Sequence, residues 1–147
     1  MNKTNKGFSL LELLIVVAII LIIATIAIPS LLRSRQAAHE AAAVATLRTL
    51  NTAEVTYLST AAGQFGTMQD LITNTLIAPN FIPGPVSGYQ FAVNLDATTF
   101  RDFTITATPA SANDGRYGYF ITPDGTVRYS SLTTLAPTGA AGTPVSQ

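Results

Sequence analysis

The segment Lys6-Gly7-Phe8-Ser9-Leu10-Leu11-Glu12 opens a run that continues through Leu13-Leu14-Ile15-Val16-Val17-Ala18-Ile19-Ile20 and ends at Ile28-Pro29. Of the 21 residues from Phe8 to Ile28, 18 are hydrophobic; the exceptions are Ser9, Glu12 and Thr25. No charged residue occurs from Leu13 to Leu32, whereas Lys3 and Lys6 precede the run and Arg33 and Arg35 follow it. A helix of that length extends about 31 Å, the depth of a bilayer's hydrocarbon core. The run is longer than the apolar stretch of a cleavable secretory signal, and no small-x-small site follows it. A plain single-span anchor explains the length but not Glu12. An acid costs about 2.5–3.5 kcal/mol at the bilayer centre and less near an edge.

Outward from this run the composition changes. The chain has 147 residues, room for one modest domain. Charged residues make up only 11%, against roughly 25% in a typical soluble domain. Eight basic residues balance eight acidic ones, so no basic excess marks a nucleic-acid partner. The absence of Cys excludes disulfides, thiolate metal sites and Cys nucleophiles.

The stretch Lys6–Pro29 closely resembles the class III signal of type IV pilins and pseudopilins: a basic leader, Gly, an aromatic residue, Glu four residues later, then an unbroken apolar run. The resemblance implies cleavage by prepilin peptidase between Gly7 and Phe8, N-methylation of Phe8 by the same enzyme, and retention of the apolar segment. It implies a subunit held in the bacterial inner membrane by a single span, N-terminus cytoplasmic. An assembly platform and ATPase then polymerise such subunits into a surface filament. The chemistry is physically reasonable. Gly7 offers an unobstructed peptide bond, and the new Phe8 amine is largely cationic near neutral pH. Glu12 of one subunit can meet the Phe8 amine of a neighbour. Such a pair serves as a register device, because desolvation offsets much of its attraction. Many relatives have Gly where this chain has Leu21, which stiffens the segment. Pro29 leaves the Thr25 carbonyl without its helical partner, so a kink, and any unwinding within a filament, is expected over Thr25–Pro29.

From Ser30 to about Thr60 the chain stays helical in character, rich in Ala and free of Gly. Val44, Leu47, Leu50, Ala53, Tyr57 and Leu58 approximate one apolar face, with Arg33, Arg35, Glu40, Arg48 and Glu54 assigned to other positions. The break is expected at Ala61-Ala62-Gly63-Gln64. Thr67-Met68-Gln69-Asp70 has the form of a capping box opening a short helix to about Thr75. Pro79, Pro83, Gly84, Pro85 and Gly88 mark an irregular loop. Alternation over Tyr89–Leu95 and Phe103–Thr108, then Gly118–Thr122 and Thr126–Ser130 around Pro123-Asp124-Gly125, predicts a three- or four-stranded antiparallel sheet with one apolar and one Thr-rich face.

The expected fold is therefore α+β: a long kinked N-terminal helix, with a transmembrane half and an amphipathic half, packed on a small antiparallel sheet head. Its divisions are a cleaved leader over 1–7, a membrane and filament-core helix over 8–29, an amphipathic half over 30–61, a head over 62–130 and a flexible tail over 131–147. This order of elements also resembles type IV pilins.

No catalytic constellation emerges. His39 is the only histidine and is assigned to a solvated helix face. Asp96, Asp102, Asp114 and Asp124 fall in separate strands and turns, and Asp-Gly pairs are turn residues first. Gly115-x-x-Gly118 lies between strands rather than before a helix, so it is no phosphate loop. No metal or cofactor is expected. The favoured role is a pilus subunit forming a homopolymer and not an enzyme. A type II secretion pseudopilin is the alternative within the superfamily, disfavoured because no acid follows Asp124. A monomeric membrane-tethered binding domain is the alternative of another class.

Overall fold

The computed structural model describes residues 8–82, 84–131 and 142–145. The predicted leader 1–7, Pro83, and residues 132–141 and 146–147 of the predicted tail lie outside the described residues. Helix α1 spans Leu10–Thr60, 51 residues. Phe8 and Ser9, expected inside it, precede it. No Gly interrupts the sequence from Phe8 to Ala62, and α1 continues through Pro29, its only proline. It stops just before Ala62 and Gly63, both left-handed, with Gly63 N–H closing onto the Leu58 carbonyl at 3.3 Å.

The chain divides into two compact units, residues 1–34 and 35–147, and α1 contributes to both. In the first, no described residue is buried, and Ala24 alone is half-covered. By length and composition this apolar part of α1 is sufficient to cross a membrane.

The second unit is α+β. After α1 comes α2, Met68–Thr73, opened by the expected capping box: the Thr67 hydroxyl accepts from Asp70 N–H, and Asp70 accepts from Thr67 N–H. A short 3-10 turn covers Pro79–Phe81. Val86 and Tyr89 then exchange both main-chain bonds around left-handed Ser87 and Gly88. Five strands follow as an antiparallel meander in chain order: β1 Tyr89–Leu95, β2 Phe103–Pro109, β3 Tyr117–Ile121, β4 Val127–Ser131 and β5 Thr143–Pro144. The fifth strand was not among the three or four expected. It comes from the segment assigned to a flexible tail, and pairs Tyr129 with Thr143.

The core lies between α1 and the sheet. Ala43, Leu47, Leu50 and Ala53 meet Tyr89, Phe91, Phe103, Ile105, Ala107, Tyr119 and Ile121, and Phe65, Met68 and Leu71 close one end. Phe65 meets Phe103 edge-on at 4.6 Å. In β2 the apolar residues face inward, and Thr104, Thr106 and Thr108 take the other face. In β3 the expected division fails, because Gly118 to Ile121 are all buried. Phe120, which points to the opposite face, is covered too, with Gly142 beside its ring.

Candidate functional site

In the first unit the signal residues form a helix start. Phe8 is 85% exposed and stands two residues before α1. Ser9 N–H donates to Glu12 Oε2 at 3.0 Å, and Leu13 N–H donates to the Ser9 carbonyl at 3.2 Å. Glu12 thus reaches back to one of the free amides at the positive end of the helix, where a carboxylate is favoured. Its internal bond uses one oxygen. Further along, the Thr25 hydroxyl donates to the Ile22 carbonyl at 2.7 Å, within the turn preceding Pro29.

In the second unit the first turns of α1 grip the β2–β3 connection. Gln36 Nε2 donates to the Ala112 carbonyl at 3.0 Å. Arg35 lies 3.8 Å from Asp114 and His39 3.5 Å from it. His39 is therefore not on a solvated face; its ring is wedged against Gly88 and Asp114. Ser111 donates to Asp114 Oδ2 at 2.6 Å. The carboxylate thus sits between Ser111 and His39, which is the wrong order for activating a hydroxyl: the histidine would have to stand in the middle.

Glu40, expected off the apolar face, is buried. Its Oε1 accepts from Arg116 N–H at 2.9 Å and Arg116 Nε at 3.1 Å, and its Oε2 from Arg116 Nη2 at 2.9 Å. Burial pushes the Glu40 pKa up, but the hydrogen bonds and charge of Arg116 outweigh it and leave the carboxyl below its ordinary value. Gly115 is also explained here. The wholly buried Tyr89 hydroxyl, donating to the Tyr117 carbonyl at 2.9 Å, occupies the space a side chain at 115 would need. Burial pushes Tyr119 up to about 12. Tyr117, Tyr119 and Tyr129, with Glu40, Ala41, Val44 and Arg48, line an open groove of about 540 Å³.

Glu54, expected off the apolar face like Glu40, is the second buried acid, and it is 0% exposed. Its Oε2 accepts from Gly66 N–H at 3.0 Å, and its Oε1 has no partner among the described residues. Burial pushes its pKa up to about 7; the Gly66 bond opposes this, and the nearby Asp70 charge adds to it. The remaining acids behave as turn residues. Asp96 accepts from Thr98 and Thr99, Asp102 from Phe103, and Asp124 from Thr122 and Thr126. Among the described residues no cluster of three His, Asp or Glu side chains has a metal-binding arrangement.

Residues 2–28 match the family model of the prokaryotic N-terminal methylation motif. The chain carries the prepilin signal of type IV pilins. The match spans the leader and stem and none of the head, and comparison with curated proteins and with solved structures gives no match. A prepilin signal of this kind points to a structural subunit rather than an enzyme, processed by prepilin peptidase and anchored through its apolar helix. Gly7 lies outside the described residues, while Phe8, Glu12 and Pro29 stand along one exposed stem.

The two buried glutamates could have been found in the sequence. Glu40, Ala43, Leu47, Leu50 and Glu54 repeat at alternating intervals of three and four, so one helix face holds them all.

Proposed function

We propose that this chain is a type IV pilus subunit. Prepilin peptidase cuts between Gly7 and Phe8 and methylates the new Phe8 amine. The platform and ATPase machinery then draws the subunit from the inner membrane into a homopolymeric surface filament. The observation that carries this reading is a methylation motif continuous with a stem on which no described residue is buried. Such a surface needs lipid before assembly and neighbouring stems afterwards. Glu12 engages one oxygen with Ser9, which leaves the other to meet the Phe8 amine of a neighbouring subunit. Pro29 and the free Thr25 carbonyl localise bending or unwinding of the stem on assembly. A pilus is favoured over a secretion pseudopilus because no acid follows Asp124.

Mass spectrometry of the mature chain tests the processing step. Phe8 at the N-terminus with one added methyl group is expected; an intact segment 1–7 refutes it. Glu12→Ala should leave the protein in the membrane and abolish or greatly reduce filaments. Normal filaments from this variant would overturn the pairing.

A further inference from the structure

The two oxygens of the Glu54 carboxyl lie in the core beneath the α1–α2 connection, and among the described residues only one of them has a partner. We propose that Glu54 is a proton-controlled latch: carrying a proton it stays buried beneath Gly66 and holds the 61–67 connection closed, and on losing that proton it leaves the core and releases the connection.

Apart from the Gly66 N–H, which favours the carboxylate, the surroundings favour the protonated form. Along α1, Leu50 precedes Glu54 by one turn and Tyr57 follows it, and neither supplies a cation. The connection Ala61–Thr67 contains no ionisable side chain. On α2 the charged group is Asp70, whose like charge opposes ionisation. The β1–β2 turn touches the connection through Phe65 N–H, which donates to the Phe100 carbonyl at 2.8 Å. Of that turn's charged residues, Asp96 and Asp102 bond within the turn and Arg101 lies at the surface. Among the described residues no Arg reaches Glu54. A buried carboxylate with one hydrogen bond and no counter-ion is a strained arrangement that a proton relieves.

The connection is a bounded unit. Ala62 and Gly63 are both left-handed at its start, and the capping box at Thr67 terminates it. Between them each of the three main-chain amides is tied down, Gln64 to Ala61, Phe65 to Phe100 and Gly66 to Glu54, and Glu54 is the one titratable partner among these acceptors. Gly66 fits closely, since a side chain there would press on the Tyr57 ring and Asp70. Loss of the Glu54 bond therefore frees the Gly66 amide, between the Phe65–Phe100 bond and the capping box.

Amide hydrogen exchange of the full chain in detergent, compared as protection factors at pH 5.5 and 8.5, tests the latch. With Glu54 titrating near 7 when closed and near its ordinary value when open, the opening equilibrium at Gly66 should rise about 30-fold between these pH values. Glu54→Gln, which mimics the protonated side chain, should hold Gly66 protection nearly constant. The Arg116 amide, held by an already ionised Glu40, should change little in either protein. Constant protection of Gly66 in the unsubstituted chain overturns the latch. So does equal loss at Arg116, or an undiminished pH response in Glu54→Gln. Should that variant not fold, the carboxyl carbon resonance of Glu54 in the unsubstituted chain decides. A midpoint near neutral pH supports the latch, and one in the ordinary carboxylate range overturns it.

Discussion

Glu40 and Glu54 lie fourteen residues apart on one face of one helix, both buried, and their chemical circumstances are opposite. Each accepts a main-chain N–H from a loop packed over α1, at Arg116 and Gly66 respectively. Each loop passes close to a tyrosine ring with a glycine at the tight point: Gly115 against Tyr89, Gly66 against Tyr57. The difference is the side chain that accompanies the N–H. Arg116 brings two further donors and a positive charge, so Glu40 stays ionised and ties sheet to helix. Gly66 brings nothing, so Glu54 favours a proton. Burial alone does not determine the state of a core carboxyl; what the facing loop supplies decides it.

The Glu40 side breaks most readily through its glycine. Gly115→Ala places a methyl group where the Tyr89 hydroxyl and ring sit, and Tyr89 is wholly buried. Overpacking of this kind costs about 3 kcal/mol at the upper end of its usual range. The expected outcome is a lower denaturation midpoint for the full chain in detergent, together with loss of Arg116 amide protection. The Glu54 side can instead be improved. Its pKa lies above the ordinary value, so its contribution to stability is complete below about pH 4.5, declines as pH rises and is gone above about 7. Glu54→Gln removes that decline. Its advantage should grow from near zero at pH 4.5 to as much as about 3 kcal/mol at pH 8. Equal stability of the two proteins at pH 8 would contradict the comparison.

Arg116→Met makes Glu40 resemble Glu54. Glu40 then keeps one N–H bond and loses its cation, so its carboxyl midpoint should move above its ordinary value. A stability that was insensitive to neutral pH at this site should begin to fall as pH rises through that new midpoint. The change should be smaller than at Glu54, because Glu40 lies at the rim of an open groove where water can approach. Carbon-13 titration of the Glu40 carboxyl checks it.

The stem, the four longer strands and the capping box were legible because each depends on local signals: an uninterrupted apolar run, alternation bounded by turns, and Thr and Asp at a fixed interval. Residue type alone puts the two acids outward, whereas their position puts them inward. The three-four spacing of Glu40 and Glu54 with Ala43, Leu47 and Leu50 already placed them inward. Only Arg116, 76 residues from Glu40, explains why Glu40 is tolerated there charged, and no local pattern encodes that pairing. The fifth strand escaped for the same reason. Thr143–Pro144 carries no strand signal and is defined by the edge of β4 that it meets. The helix neighbours of His39 are polar or small and point to a solvated face, whereas what covers it comes from Gly88 and Asp114.

Asp124 supplies the control for both buried acids, and the smallest effect. It too is bonded to an arginine, Arg128 at 2.6 Å, and accepts from the Thr126 amide and the Thr122 hydroxyl. These bonds hold its carboxyl down at about 2, with the Arg128 bond the strongest contribution. A depressed carboxyl stabilises the fold above its ordinary value, and that contribution is lost as pH falls through about 2. Its side chain is 45% exposed, however, so water screens the pair and competes for every bond. Asp124→Asn should lower stability at pH 7 by no more than about 0.5 kcal/mol, the ordinary range for a surface substitution. The difference should shrink further toward pH 2. A loss comparable with Gly115→Ala would mean that the β3–β4 turn, rather than the two core carboxyls, dominates the electrostatics of the head.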